Sequence, residues 1–470
     1  MSARRMLFNS FLFLYFFLTV FALRWALPQR FVGPFLLAAS YAFYLSWGLK
    51  YGGLILGMTL FTYVAAGRIK SAPDAATKKR RLLGTVVLLL LPLVFFKYTD
   101  FLLGTVGSKT RLEMALPLGI SFFTFEMLSY VIDLYRGGPE AKSVTEFFLY
   151  IAYFPHLVAG PIVRADELLP ELGREHTFDS EKVSEGAFIA LFGLAKKVVI
   201  ADNLGAFANA VFGAPDKQTG PYLWLGVLAY TGQIFCDFSG YTDIARGGSL
   251  MLGYELPDNF DYPYASANIA EFWRRWHMTL SRWLRDYLYI SLGGNRGGAL
   301  RTYRNLFLTM LLGGLWHGPR WTFVVWGGYH GALLALHKLY ADRTAKVPAL
   351  AALRRSLPYR AVAVAVTLLQ VVVGWVFFRA ETFEKAWTVL RGMALARGPV
   401  PTYATLPDDA KLTLGLLGLL VVIHVFGVHK AGLRAHRWLP APARGLVWAA
   451  LAYVCFFFAT SSPLFIYFNF

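Results

Sequence analysis

The sequence predicts an all-α membrane protein that crosses the bilayer many times, because the chain is apolar along its whole length and poor in charge. Of its 470 residues, 56% are hydrophobic and only 16% are charged, and the mean hydropathy is +0.47. A soluble domain is nearer to about 45–50% apolar, with about a quarter of its residues charged. This chain therefore has too few polar side chains to cover a water-soluble globule.

Apolar stretches of membrane length recur throughout the sequence. A helix that crosses the hydrocarbon core needs about 20 apolar residues, and fewer where neighbouring helices bury it. We expect about ten to twelve transmembrane helices, plus re-entrant and interfacial helices. The first is expected to be an uncleaved helix, since no convincing small-residue cleavage site follows Met6–Val20. The least charged stretches are Leu82–Phe96, Thr322–His337, Ala361–Phe378, Leu412–Val428 and Gly445–Phe470.

The strong positive charge fits a membrane protein better than a nucleic-acid-binding protein. The net charge is +18, and Lys and Arg collect in the short cytoplasmic loops of membrane proteins, where they also meet anionic lipid headgroups. The basic loop Arg68–Arg81 is therefore predicted to be cytoplasmic. Arg4 and Arg5 also favour the cytoplasm, but simple helix counting cannot place both regions there unless an early segment is re-entrant. The side of the N-terminus stays open.

The chain is predicted to form a single membrane domain, residues 1–470. Its polar stretches are only loop-sized, and it shows neither a repeat of 20–50 residues nor the paired broken helices of an inverted-repeat transporter. Residues 150–340 mix Gly, Pro, Trp, Arg and His with membrane-grade hydrophobicity and are predicted to be the catalytic core, between scaffold helices in 1–149 and 341–470. Ala159-Gly160-Pro161 and Gly313-Gly314 predict interrupted or re-entrant helices around a cavity.

Several common chemistries lack their sequence signals. The chain has no nucleophile elbow, no HExxH, no P-loop and no dinucleotide-binding glycine motif. Its two cysteines, Cys236 and Cys455, form no CxxC pair, and no closely spaced histidines suggest iron. We therefore expect neither a metal site nor a bound cofactor.

His330 is the strongest candidate for a catalytic residue. It lies in the uncharged stretch Trp321–His337, beside Gly327, Gly328 and Gly331. Ionisable residues inside membrane helices usually face a bundle interior or an aqueous path, and a neutral imidazole can accept a proton from a hydroxyl at physiological pH. The alternative is a packing face of small residues with an incidental histidine.

A second candidate is His277, in a segment that resembles one amphipathic helix, Asn268–Leu292. The helical period places His277 with the tryptophans on the apolar face, where a polar ring needs a partner or a function. A structural histidine bonded to a neighbouring carbonyl is the open alternative. Arg274, Arg275 and Arg282 lie on the opposite face, as in a helix at the headgroup plane, and would suit an anionic donor.

Two further residues, Trp316 and His317, lie in a turn at the end of a membrane segment. They are candidates for substrate binding, although capping or loop hydrogen bonding accounts for His317 equally well. The same structural role is open to His156, which follows Tyr153-Phe154-Pro155.

Nine sequence blocks, in a fixed order across nearly the whole chain, form a recognisable pattern. They are Met6–Ser10, Phe154–Ile162, Asp237–Ala245, Asn259–Tyr264, Glu271–His277, Arg285–Ile290, Leu292–Arg296, Gly313–Gly318 and Phe465–Phe470. Together they resemble the bacterial alginate O-acetylase branch of the membrane-bound O-acyltransferases.

The resemblance implies a ring of membrane helices around a funnel or tunnel, with an invariant histidine near its narrow point. That histidine belongs to the motif Gly328-Tyr329-His330-Gly331, and a second family position, usually His or Asn, falls on His277. The implied reaction is acyl transfer from a thioester, with acetyl-CoA as the expected donor, to a hydroxyl. The expected partners are an extracytoplasmic acetyltransferase, a polysaccharide acceptor and membrane lipid, without nucleic acid, at the bacterial inner membrane.

The mechanism that follows assigns His330 as the general base and His277 as a residue that orients it or stabilises an oxyanion, while arginines steer the donor. Two alternatives stay open. One keeps the fold but transfers D-alanine to teichoic acid; the other is a transporter for a lipid-linked glycan that uses a buried histidine as a proton relay. The transporter alternative predicts more intramembrane carboxylates than the chain offers.

Overall fold

The computed structural model describes residues 6–158, 160–345, 347–396 and 398–458, with only the backbone for residues 349–352. The predicted motif Phe465–Phe470, and Ala159 of the block Phe154–Ile162, lie outside the described residues. The chain is 78% helical and the described part contains no β-strand, which confirms the all-α prediction.

Eleven α-helices occupy the described residues up to Met251, and a π-helical turn, Lys196–Ala201, joins the ninth to the tenth. They are α1 (Phe11–Ala26), α2 (Gln29–Leu45), α3 (Leu49–Lys70), α4 (Ala75–Thr105), α5 (Ile120–Tyr135), α6 (Val144–Ala152), α7 (Phe154–Leu157), α8 (Ala165–Leu172), α9 (Ser180–Ala195), α10 (Asp202–Gly213) and α11 (Gly220–Met251).

Ten further α-helices follow in the described part of the chain, and a second π-helical turn, Leu284–Tyr289, lies among them. They are α12 (Ile269–Arg275), α13 (Met278–Trp283), α14 (Ala299–His317), α15 (Trp321–Thr344), α16 (Pro348–Arg355), α17 (Leu357–Arg379), α18 (Phe383–Leu395), α19 (Asp408–Phe426), α20 (Val428–Trp438) and α21 (Ala441–Phe457).

Short polar side chains start several of these helices by capping unpaired backbone N–H groups. The Ser10 hydroxyl accepts a hydrogen bond from the backbone N–H of Phe13, and Asn268 caps α12 through the N–H of Glu271. Asp74 caps α4 in the same way, and the hydrogen bond from the Thr77 backbone N–H lowers the pKa of its carboxyl. These three helix starts therefore follow from local sequence.

Among the described residues, four helices are long and apolar enough to cross a membrane: α3, α4, α17 and α19. Two shorter apolar helices, α1 and α21, accompany them. The chain is a multi-pass membrane protein, while the number of ten to twelve spans stays a prediction.

One side of α4 shows how the protein meets lipid. Leu83, Val87, Leu91 and Phe95 each expose more than half of their side-chain surface. They recur every four residues, so they form one apolar stripe along the helix. A stripe of this kind would be unfavourable in water but matches the hydrocarbon of a bilayer.

The chain divides into two compact units. The first comprises Met1–Leu194, Tyr241–Asp258 and Ala441–Leu451, and the second comprises Ala195–Gly240, Asn259–Pro440 and Ala452–Phe470. Both candidate histidines, His277 and His330, belong to the second unit. The prediction of a single domain with a core at 150–340 stays a prediction.

Helices α14 and α15 pack backbone to backbone in the second unit. A Cβ atom on Gly314 would lie 2.9 Å from the Cα of Gly327, and one on Gly331 would lie 2.9 Å from the Cα of Phe307. Both distances are too short, so only glycine permits this approach. The predicted helix interruption at Gly313-Gly314 is wrong, since α14 is continuous there and its glycines serve helix packing.

The helical period predicted a single helix over Asn268–Leu292, and this prediction is wrong. Helix α12 ends at Arg275, His277 adopts a left-handed backbone (φ 42°, ψ 56°), and α13 begins at Met278. The two faces are nevertheless largely as predicted. Arg274 is exposed, whereas most of the residues on the predicted apolar face are buried: Trp273, Trp276, Leu280, Trp283, Leu284 and Tyr287.

Candidate active site

His330 lies on α15 inside an aromatic cage in the second unit. Its ring is completely buried, at 0% exposure. Trp273 from α12 and Trp326 from α15 contact it edge to face, with ring centroids 5.2 and 5.0 Å away. Phe272 stacks parallel to it at 6.4 Å. The histidine therefore faces the interior, as predicted for an intramembrane ionisable residue.

Both ring nitrogens of His330 lack a hydrogen-bond partner among the described residues. A buried polar atom left in this state costs about 1–3 kcal/mol. A structural histidine normally avoids this cost by bonding to a carbonyl, so the unpaired nitrogens argue against an incidental histidine. The packing face of that alternative does exist, since Gly327 and Gly331 pack against α14. Unpaired polar groups in a native core often mark sites where a ligand or water binds.

A glycine from another helix packs closely against one of these nitrogens. A Cβ atom placed on Gly374 of α17 would lie 2.7 Å from the Nε2 of His330 and 3.4 Å from its Cε1. Any larger residue at 374 would displace the ring. The glycines next to His330 in sequence, Gly327 and Gly331, instead face α14, so the small residue that approaches the imidazole is Gly374.

His277 is held by a different arrangement, built on the side chain of Asn259. The Oδ1 atom of Asn259 accepts hydrogen bonds from the Thr279 backbone N–H at 3.2 Å and the Thr279 hydroxyl at 3.0 Å, and lies 3.2 Å from the Nδ1 of His277. A backbone N–H can only donate, so this atom is the amide oxygen, and the His277 Nδ1 must carry the proton. In the neutral ring, Nε2 is then the proton-accepting nitrogen.

The backbone around His277 fixes this geometry. The Met278 N–H donates to the Asn259 carbonyl at 2.9 Å, directly after the left-handed residue. A left-handed conformation costs a residue with a side chain about 1–2 kcal/mol, and such strain concentrates at functional sites. The break in the helix thus places a buried imidazole with one defined tautomer.

The two histidines are joined through other rings and not through a hydrogen bond. The ring centroid of Trp316 lies 6.3 Å from that of His277 and 5.0 Å from that of His317. The ring centroid of His317 lies 5.1 Å from that of Trp326, which contacts His330. His330 makes neither a hydrogen bond nor a ring contact with His277. The structure therefore brings four predicted site residues into one aromatic cluster, and the role of His277 in orienting His330 or stabilising an oxyanion stays a prediction.

The predicted arginines lie outside this cluster. Arg274 is exposed, and Arg275 forms an ion pair with Glu271 of the same helix at 2.7 Å. Arg282 is half-buried on α13. Their positions agree with the predicted polar face, and their contact with a substrate stays a prediction.

Comparison with known proteins identifies the family to which the chain belongs. The family model described as membrane-bound O-acyltransferase family matches residues 78–370. A probable alginate O-acetylase of Azotobacter vinelandii is 44% identical over 83% of this chain and 78% of its own. The chain belongs to the membrane-bound O-acyltransferase family. It is an O-acyltransferase.

Other relatives of this O-acyltransferase act on different polymers. A peptidoglycan O-acetyltransferase of Helicobacter pylori is 38% identical over 84% of the chain and 80% of its own length. A teichoic acid D-alanyltransferase of Bacillus subtilis is 29% identical over 55% of the chain and 68% of its own length. The family match includes both candidate histidines and most of the residues around them.

Other histidines of the O-acyltransferase have structural partners, as His156 shows in the first unit. Its Nε2 donates to the Tyr150 carbonyl at 3.1 Å, and its Nδ1 lies 3.0 Å from the Glu126 carboxyl. The structural alternative for His156 is therefore the better one. The hydrogen bond of this ring to a carbonyl contrasts with the two unpaired nitrogens of His330.

Sequence reasoning gave no site role to several residues around the two histidines: Asn259, Phe272, Trp273, Trp326 and Gly374. Asn259 belongs to a resemblance block but was given no role, and Gly374 lies beyond the predicted core, on α17. A signal for Asn259 existed, since a lone asparagine buried in an aromatic segment needs partners. No group of three or more metal-ligating side chains occurs among the residues described.

Proposed function

We propose that this chain is the membrane subunit that moves an acetyl group from a cytoplasmic thioester, acetyl-CoA, for O-acetylation of an exopolysaccharide such as alginate. The proposal places it in the bacterial inner membrane, where an extracytoplasmic acetyltransferase receives the group. Its support is the extent of similarity to an alginate O-acetylase, which exceeds that to the D-alanyltransferase in both identity and coverage. The observation that carries the chemistry is the buried imidazole of His330, with both nitrogens unpaired.

In the proposed reaction, a ring nitrogen of His330 accepts the proton of the acceptor hydroxyl. The hydroxyl oxygen attacks the thioester carbonyl carbon, and the C=O π electrons move onto the carbonyl oxygen. When this electron pair returns, the C–S bond breaks, and the leaving thiolate takes the proton from the imidazolium. The ester and the free thiol are the products, and His330 returns to its neutral form.

The surroundings of His330 suit such a base. The cage excludes water, so charges that develop in the reaction interact strongly with nearby dipoles. Because His330 is fully buried, a substrate reaches it only when cage side chains such as Trp273 move. Trp273 is 8% exposed, and Tyr329, whose ring centroid lies 5.4 Å from that of His330, is half-buried.

We assign supporting roles to the other predicted residues. His277, with its proton held at Nδ1 by Asn259, presents an accepting Nε2 to a substrate hydroxyl. Trp316 and His317 line the route between the histidines as substrate-binding residues. Arg274, Arg275 and Arg282 supply positive charge for the phosphates of the donor, and the exposed Arg274 meets them first.

The test measures transfer of labelled acetyl groups in membrane vesicles that contain the chain and its acceptor system. We expect His330→Ala to lower the rate by about 10²–10⁴-fold, the usual contribution of a general base. The matched control is His337→Ala, which removes a half-buried histidine two turns along the same helix and should retain the rate. A His330→Ala enzyme that works at the wild-type rate contradicts the assignment, and release of D-alanine instead of acetate identifies the other branch.

A further inference from the structure

Three tryptophans of the cage have indole N–H groups without an acceptor. The Nε1 atoms of Trp273, Trp326 and Trp375 are buried, and none has a hydrogen-bond partner in the part of the chain that the structure describes. Trp273 and Trp326 lie 5.7 Å apart and both contact His330. The cage thus combines unpaired donors with the two unpaired nitrogens of the imidazole.

Two tryptophans outside the cage have a carbonyl acceptor for this kind of donor. The indole N–H of Trp25 donates to the Met251 carbonyl at 3.1 Å, and that of Trp224 donates to the Met393 carbonyl at 3.0 Å. Packing alone does not account for tryptophan in the cage, since phenylalanine would fill an aromatic wall without leaving a donor unpaired. The unpaired donors point to an acceptor that the bound substrate supplies.

We propose that Trp273 and Trp326 donate their indole N–H groups to the thioester carbonyl oxygen as it becomes an oxyanion. The proposal rests on the acyl transfer proposed above and names the groups that stabilise its intermediate. Trp375 stacks on Trp326 at 6.0 Å and makes no ring contact with His330, so we do not count it among the donors to the carbonyl oxygen. Both proposed donors lie beside the ring that takes the hydroxyl proton, where the reacting carbonyl must bind.

The chemistry of this step favours donors of this kind. Attack by the hydroxyl oxygen moves the C=O electron pair onto the carbonyl oxygen, which turns a weak acceptor into a strong one. Donors that are unpaired in the resting enzyme break no hydrogen bond when this charge develops, and their effect is larger in the transition state than in the ground state. The same indoles exclude water, which would compete for the oxyanion.

The experiment replaces each indole by a ring that cannot donate. Trp326→Phe and Trp273→Phe keep an aromatic side chain and remove the N–H. Trp224→Phe is the control, because it removes an indole donor that bonds to the Met393 carbonyl and makes no ring contact with His330. A second form of the Trp326 variant carries a benzothiophene ring, which keeps the bicyclic shape and lacks the N–H. For each protein, kcat and KM for acetyl transfer are measured together with thermal unfolding of the detergent-solubilised full chain.

We expect loss of either donor to lower kcat by about 10²–10³-fold, as for other oxyanion donors, with little change in KM. Trp224→Phe should retain kcat. The benzothiophene form should show the same loss as Trp326→Phe while unfolding at the wild-type temperature, which separates the donor from the shape of the ring. The proposal is overturned if the benzothiophene form retains kcat within about threefold of the wild type. A loss of about threefold corresponds to less than half of the activation free energy that one oxyanion donor contributes. An inactive His330→Ala beside active tryptophan variants would refute only this inference.

Discussion

At the scale of single residues, the site depends on what each imidazole can and cannot bond. His277 is fixed by Asn259, whereas His330 has two unpaired nitrogens and has Gly374 packed closely beside its Nε2. The difference suits two roles, since a fixed ring presents one defined nitrogen and an unpaired ring can exchange a proton with a substrate. Both roles depend on neighbouring residues, Asn259 and Gly374, that position the imidazoles and take no part in the reaction themselves.

Gly374→Ala tests how closely the rate depends on the position of His330. The added Cβ would lie 2.7 Å from Nε2, so the ring must shift, and a misplacement of about 1 Å can lower a rate by about 10²-fold. We therefore expect a large loss of acetyl transfer, measured as the initial rate at saturating donor, with the protein still folded.

Gly415→Ala is the matched control for that substitution. Gly415 lies within α19, and a Cβ there would meet no atom within 4 Å. The rate should be unchanged, since alanine favours a helix more than glycine does. Equal rates in the two variants and the wild type would show that the space at Gly374 has no catalytic importance.

The residues themselves predicted that His277 and His330 are buried, because a histidine on an apolar face or in an uncharged stretch rarely faces lipid and usually turns inward. They could not predict Gly374, whose approach to His330 depends on how α17 packs against α15. They also could not predict the Asn259 hydrogen bonds, which need a left-handed residue that no local signal marks. Tertiary contacts between separate segments are the part that one sequence does not show.

At the scale of elements, the helical period of the sequence predicted which side of a segment is buried. It did not predict whether the segment forms one uninterrupted helix. Over Asn268–Leu292 the buried and exposed sides agree with a single helix. The helix is nevertheless interrupted at His277 and continues as α13. Conversely, α14 runs straight through the pair Gly313-Gly314, where a break was expected. Glycine marks both flexible backbone and close packing, and only the neighbouring helix distinguishes the two.

Gly314→Ala tests the close packing of α14 on α15. The new Cβ would lie 2.9 Å from the Cα of Gly327 and closer still to the Phe323 carbonyl oxygen, and both are backbone atoms that cannot rotate away. Overpacking of this kind costs about 1–3 kcal/mol. We expect a lower unfolding temperature in detergent.

The control for this packing test is Gly84→Ala on α4. A Cβ at Gly84 meets no atom within 4 Å, so stability should stay the same or rise. A Gly314→Ala protein as stable as the wild type would show that α14 and α15 can separate without loss, and that the glycines are not required for packing.

At the scale of the whole molecule, composition alone identified a multi-pass membrane protein. The exposed apolar stripe on α4 agrees with this identification, because such a surface is stable only in contact with lipid. The number of spans was less accessible. Helices such as α14 carry Arg301 and Arg304 within their length, so hydropathy does not distinguish a span that polar neighbours cover from a helix at the interface. Four helices meet the stricter requirements of length and composition.

Cysteine labelling tests the orientation that the basic loop predicts. Ser71→Cys places a thiol in the loop before α4, and Thr110→Cys places one beyond its other end; both positions are exposed. The native cysteines, Cys236 and Cys455, are buried and should give little background. With a membrane-impermeant maleimide on intact cells, we expect Thr110→Cys to react and Ser71→Cys to react only after permeabilisation.

The reverse pattern would place the basic loop outside the cytoplasm and would contradict the proposed direction of acetyl transfer. Equal labelling of both positions without permeabilisation would show that α4 does not cross the membrane. The length of α4, 31 residues or about 46 Å at 1.5 Å per residue, is more than enough for the crossing.

The left-handed backbone at His277 narrows the set of residues that evolution can place in this site. Positive φ angles disfavour most side chains, and among the residues that tolerate them best, apart from glycine, are Asn, Asp and His. A substitution must satisfy the turn before it can satisfy the reaction, so asparagine is the natural replacement and a bulky or β-branched residue is excluded. The alternation of His and Asn that the family resemblance implies at this position then reflects the shape of the chain as much as the chemistry of the ring.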